Sequence, residues 1–273
     1  MEVDFHLVNA TEDITVEEIK TERKEKGNSW FLENWRAFLS ELVATISLLF
    51  FGCMTCIPID GLPINPPLYG TIGFGLIVLM NIQTFGHISG AHMNPTVTLA
   101  AIIWGDMSIV LGIAYFVAQF TGALIGYGLL MVLSPVDMSP GVCTTQPHVK
   151  HTVYQALGVE ILLTAALVLI NCAVWDPVNK NKGESLSIKF GLTIAALSIA
   201  GGPLTGASMN PIRSFAPALW TNTWNSHWVY WAGPFLGGTL AVIFYKFVWL
   251  RVEKVIEPEF SWTGSRNFES KLV

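Results

Sequence analysis

Two stretches decide how this chain folds: Gly90-Ala91-His92-Met93-Asn94-Pro95 and, 116 positions later, Gly206-Ala207-Ser208-Met209-Asn210-Pro211. Asn is a favoured N-cap, and Pro suits the first helical position because the N–H it lacks would have no partner there. Each Asn-Pro pair therefore opens a helix. The apolar stretches that follow, 94–104 and 210–220, are about half the length a membrane crossing needs. A helix of about eleven residues rises about 17 Å, against a hydrocarbon core of about 30 Å. Alone the dipeptide is weak evidence, since it marks turns in many soluble proteins. Its repetition in matching surroundings is what carries weight.

Outward from these motifs the whole chain reads as a repeat. Glu41-x-x-x-Thr45 matches Glu160-x-x-x-Thr164, and Gln119-Phe120-x-Gly122-Ala123 echoes Pro234-Phe235-x-Gly237-Gly238. Six stretches, near 35–57, 68–86, 109–133, 152–175, 186–202 and 227–250, are long and apolar enough to span a bilayer. Three spans per unit is an odd number, so the second copy enters the membrane upside down. Inverted repeats place a site near the midplane, where interrupted helices meet. The expected fold is an all-α membrane protein of six transmembrane helices plus two re-entrant half-helices in an inverted repeat.

Composition agrees. Of 273 residues 52% are hydrophobic and 13% charged, about half the charge usual in a soluble domain, and the mean hydropathy is +0.50. Net charge is −5, with no basic block suited to nucleic acid. Lys20, Arg23, Lys24, Lys26, Arg36, Lys180, Lys182, Arg251 and Lys254 fall on one side of the predicted spans. The loop 58–67 on the other side has no Lys or Arg, and the loop 134–151 has only Lys150. Positive residues stay in the cytoplasm, so both termini are expected there. The sequon Asn9-Ala10-Thr11 would then be on the wrong side for use. No removable signal peptide is read in the polar start. Residues 1–29 and 253–273 read as flexible tails.

Four cysteines are too few for a disulfide scaffold. Cys53, Cys56 and Cys172 lie in apolar runs and Cys143 in a polar loop. Cys53-x-x-Cys56 has redox spacing, but within an apolar helix it reads as packing.

At the midplane Asn94 and Asn210 would each keep an amide NH2 free to donate to whatever lies between two opposed helix N-termini. Arg213, in the first turn of the second half-helix, is disfavoured there by the helix dipole and by membrane depth. A water-filled vestibule explains it, with a snorkelling interfacial Arg as the bland alternative. Glu41 and Glu160 are acids on apolar helices. A proton relay is the default reading, but their repeat symmetry favours acceptors for backbone N–H groups of the re-entrant loops. His87 and His92 flank the first such loop and read as loop support or gating. No metal or cofactor is expected, and no nucleophile–base pair or phosphate loop suggests an enzyme. Gly122, Gly126, Gly128, Gly233, Gly237 and Gly238 would allow close helix approach.

On these motifs, together with Arg213-Ser214-Phe215, the sequence resembles the aquaporin (major intrinsic protein) family over about residues 35–250. The resemblance implies a channel domain at 35–250, with repeats at about 35–133 and 152–250 between cytoplasmic tails 1–34 and 251–273. It also implies a plasma-membrane homotetramer with one pore per subunit. Thr96 and Ile212 stand where the family usually has Ala. By alignment the constriction is Phe74, Ser198, Ala207 and Arg213. Strict water channels carry His where this chain has Ser198, so the resemblance implies a wider ring that passes water and small polyols such as glycerol, with urea as a further candidate. Against this, glycerol channels carry Asp where Ser214 stands, and Tyr230-Trp231 looks like the water branch. The combination resembles the insect glycerol-transporting branch. The alternatives are a strict water channel and, from another class, an ion-coupled transporter. Ala207 stands where mercury-sensitive members have Cys, which predicts weak mercury inhibition.

Overall fold

The computed structural model describes residues 16–58, 68–139, 141–179, 181 and 183–250, with side chains from Ser29 onward. Eight α-helices follow in order: α1 (Val16–Met54), α2 (Leu68–Ser89), α3 (Pro95–Trp104), α4 (Ile109–Leu133), α5 (Val153–Trp175), α6 (Leu186–Thr205), α7 (Pro211–Thr221) and α8 (Val229–Phe244), the last running on as a π turn over Tyr245–Trp249. Six are long and apolar enough to cross a membrane, while α3 and α7 have only 10 and 11 residues. No strand occurs among the described residues. The first helix begins earlier than read from sequence: it is continuous from Val16, inside the stretch taken as a tail, and its apolar span is Ser29–Met54. The other stretches expected as tails, 1–15 and 251–273, lie outside the described residues.

Local signals explain the ends. Ser108 caps α4 through Leu111 N, and Thr152 and Gln155 form a reciprocal capping box on α5. Gly105 (φ 108°) and Gly206 (φ 83°) stop α3 and α6 in the left-handed conformation that glycine adopts without strain. Lys246 closes the last two carbonyls of α3, its Nζ donating to Ile103 O and Trp104 O at 2.9 Å each.

The packing repeats the sequence symmetry. Helix α1 packs on α2 and α4, α5 on α6 and α8, and α2 on α6 between the halves. Glycines set each crossing. A Cβ on Gly122 would lie 2.6 Å from Leu42 O, and one on Gly126 2.5 Å from Ile46 O. In the second half a Cβ on Gly233 would lie 2.6 Å from Glu160 Cβ, and Gly237 is pressed on the Ile161 carbonyl. The α2–α6 contact uses Gly75 and Gly191, each facing the other's carbonyl. Small residues at crossings are the membrane solution, because lipid supplies no hydrophobic drive for helix association. Polar side chains join an apolar interior, and large apolar ones cover the outside. Glu41, Asn81, Gln119, Glu160 and Thr164 are fully buried, while Leu162, Leu192 and Val132 are exposed.

Candidate functional site

After α2 and again after α6 the backbone turns inward. In the first loop Ala91 and Met93 take φ of 48° and 50°, and in the second Ala207 and Met209 take 46° and 52°. Four non-glycine residues in the left-handed region are a strained arrangement that neighbours must hold. The two buried glutamates do much of this. Glu41 accepts from His92 N and Met93 N, both at 2.8 Å, with Ser89 Oγ and Gln119 Nε2 completing its shell. Glu160 accepts from Ser208 N and Met209 N, both at 2.9 Å, and from Thr205 Oγ1 at 2.6 Å. Tyr115 and Tyr230 add matching bonds to Ser89 O and Thr205 O, each 2.9 Å. A carboxylate presents acceptor sites only, so it pairs with loop N–H groups that would otherwise be stranded at membrane depth, where each costs several kcal/mol.

The loops deliver Asn94 and Asn210 to the starts of α3 and α7. Each side-chain oxygen caps its own helix, through Thr96 N at 2.9 Å and Ile212 N at 3.2 Å. Each amide nitrogen crosses to the other loop: Asn94 Nδ2 donates to Met209 O at 2.9 Å and Asn210 Nδ2 to Met93 O at 2.8 Å. This modifies the sequence reading, which left both N–H groups of each amide free. An NH2 has two donors, so the cross-brace uses one and leaves one. Thr96 and Ile212, the residues after the Asn-Pro pairs, are buried away from the cavity wall.

A cavity of about 1120 Å3 runs past both asparagines. At one end it is lined by Leu68 and Thr71 at the start of α2, and at the other by Trp175, Glu184 and Ser187. Phe74, Ser198, Ala207 and Arg213 all line it. The Arg213 guanidinium lies 4.7 Å from the Phe74 ring centroid, and its Nη1 donates to Cys143 O at 2.6 Å. His92 lines the cavity and hydrogen bonds Thr98 Oγ1 through Nδ1. His87 is exposed in the last turn of α2 and faces the cavity mouth, so its place is the wall and not beneath the loop. Ser214 is fully buried and bonded to Ser208 Oγ and Thr145 Oγ1, both at 2.6 Å.

The family model of the major intrinsic protein matches residues 29–245. The chain belongs to that family. The lens fiber major intrinsic protein of rat is 36% identical over 237 residues, covering 86% of this chain and 90% of the rat protein. The human lens protein is 37% identical over 214 residues, 78% of this chain and 81% of its own length. Among solved structures, the X-ray structure of the aquaglyceroporin from Plasmodium falciparum superposes with a TM-score of 0.69 at 25% identity, covering 78% of this chain and 96% of that one. Major intrinsic proteins are channels and not enzymes, so this chain is a multi-pass membrane channel.

Two features of the site were missed in the sequence. Cys53, read as helix packing, is disulfide-bonded to Cys143 in the loop between α4 and α5. Their separation of 90 residues follows no motif spacing, so only the fold could pair them. Cys56 is a free thiol on the cavity wall.

Proposed function

We propose that this member of the family is a passive pore for water and small uncharged polyols, glycerol foremost and urea as a further candidate, that excludes ions and protons. The observation that carries the reading is the composition of the wall at Arg213. Phe74 offers a flat apolar face, Ala207 and Ser198 leave room, and the Arg213 fork offers donors. A carbon chain bearing hydroxyls fits an apolar wall beside fixed donors, and pore width, donors and electrostatic barriers together set channel selectivity. The remaining N–H of each asparagine takes the lone pairs of a passing water and so interrupts a proton wire. Arg213 and the two helix N-termini repel cations.

The same reading makes 35–250 the channel domain, places both termini in the cytoplasm by the Lys and Arg distribution, and takes the functional unit as a plasma-membrane homotetramer of the insect glycerol-transporting type. Glu41, Glu160 and His92 support the re-entrant loops and His87 lines the inner mouth. The decisive experiment is Ser198→His in swelling oocytes. Restoring an imidazole should abolish glycerol uptake while water permeability stays measurable. Unchanged glycerol uptake would remove Ser198 from the constriction, no glycerol uptake by the unmodified channel would leave a strict water channel, and flux that needs a sodium or proton gradient would make it a transporter.

A further inference from the structure

We propose that the Cys53–Cys143 disulfide is a positioning element of the constriction, holding the carbonyl that anchors Arg213 so that breaking it changes which solutes pass. This rests on the pore reading above.

Arg213 has five N–H donors, yet among the described residues its side chain makes one hydrogen bond, to Cys143 O. That acceptor decides where the guanidinium fork points. Cys143 itself has φ 65°, a region that non-glycine residues enter only when surroundings impose it. A turn seats Cys143 there, Thr144 N and Oγ1 both donating to Gly141 O at 3.1 and 2.6 Å, and three further attachments hold that turn in place. Tyr127 Oη donates to Val142 O at 2.7 Å, Thr145 Oγ1 donates to Ser214 Oγ at 2.6 Å, and Cys143 is covalently tied to Cys53. The first two act on Val142 and Thr145; on the Cys143 side chain itself it is the disulfide that acts.

Its other end is equally pointed. Cys53 is fully buried, with its Cα 5.4 Å from that of Cys143, within the ordinary span of a disulfide. Its neighbour Gly52 backs the Phe74 ring, which a Cβ there would approach to 2.7 Å. One covalent link thus joins the support of Phe74 to the support of Arg213, two cavity-wall residues in contact, with the guanidinium 4.7 Å from the ring centroid. Both cysteines are on the face assigned to the outside, where disulfides persist.

The test uses the full chain in proteoliposomes, with a phosphine reductant. The phosphine attacks the S–S bond and gives up two electrons, one water supplies the oxygen of the phosphine oxide, and that water's two protons complete the thiols of Cys53 and Cys143. Denatured without reduction, the protein should take up maleimide at two cysteines, and after reduction at all four. Reduction should shift the glycerol-to-water permeability ratio by about threefold, half a decade in rate or about 0.7 kcal/mol of barrier. The Cys53→Ser/Cys143→Ser double variant should show the shifted ratio and no response to reductant. Four reactive thiols before reduction, or an unchanged ratio after it, overturns the proposal. A parallel loss of water and glycerol flux with unchanged ratio would assign the bond to stability alone, which also overturns it. If the double variant does not fold, reduction of the folded unmodified protein decides. If the untreated protein passes neither solute, the pore reading fails and takes this inference with it.

Discussion

Asn94 and Asn210 hold each other's loops: each side-chain amide donates to the carbonyl of the Met that precedes the other, at 2.9 and 2.8 Å. The same side chains cap their own half-helices, so each asparagine performs two separable tasks. Asn94→Asp keeps the capping oxygen but replaces the donor with an anion facing Met209 O. Asn94→Ala loses both. A lost cap costs about 1 kcal/mol and a lost hydrogen bond a similar amount. Both variants should melt earlier in detergent than the unmodified channel, and both should pass less water. If Asn94→Asp melts and conducts like the unmodified protein, the cross-brace contributes nothing.

The glycine crossings give a prediction with an internal control. A Cβ on Gly75 would sit 2.5 Å from Gly191 O and 2.7 Å from Ala195 Cβ, whereas one on Gly158 meets nothing within 4 Å. Gly75→Ala must push α2 and α6 apart, and overpacking of this kind costs about 1–3 kcal/mol. Gly158→Ala removes backbone freedom from the unfolded chain and should stabilise by up to about 1 kcal/mol. Thermal unfolding of the two variants should therefore move in opposite directions. Equal shifts would mean that the α2–α6 approach is looser than described.

Ala207 alone predicts weak mercury inhibition, but Cys56 lines the same cavity. Its thiol is pushed above the ordinary range by burial, with the Arg213 charge and Thr55 opposing. A raised thiol presents little thiolate at neutral pH. A mercurial should accordingly block water flux slowly at pH 7 and faster as pH rises, and Cys56→Ser should be insensitive. Block that survives Cys56→Ser unchanged would place the reactive sulfur elsewhere.

What the sequence made legible follows from range. The starts of α3 and α7 and the bounds of α4 were readable because Asn-Pro capping and apolar length are local signals. Glu41 and Glu160 stood out because the repeat supplied the same acid twice, each before a re-entrant loop whose N–H groups they accept from. The Cys53–Cys143 link, the Gly75–Gly191 crossing and the Ser214 bonds to Ser208 and Thr145 join positions that no periodicity relates. The early start of α1 escaped because charged residues between 16 and 28 form good helix without being apolar.

His227 offers a test through pH. It lies just before α8 among Trp224, Phe215 and Tyr230, at ring distances of 5.0, 6.1 and 6.3 Å, and its Nε2 accepts from Trp231 Nε1 at 3.1 Å. Burial holds its titration below the ordinary value, which for histidine is about 6.5. The folded protein therefore binds this proton less readily than the unfolded chain does. Its stabilising contribution is present above about pH 6.5 and is lost as pH falls through the lowered folded value. Protonation also turns Nε2 into a donor and ends the Trp231 bond. The melting temperature of the unmodified channel in detergent should fall across this acid range more steeply than that of His227→Gln, the difference isolating this residue from the other histidines. Parallel profiles for the two proteins would show that the neutral imidazole does not hold the Phe215–Trp224–Trp231 cluster together.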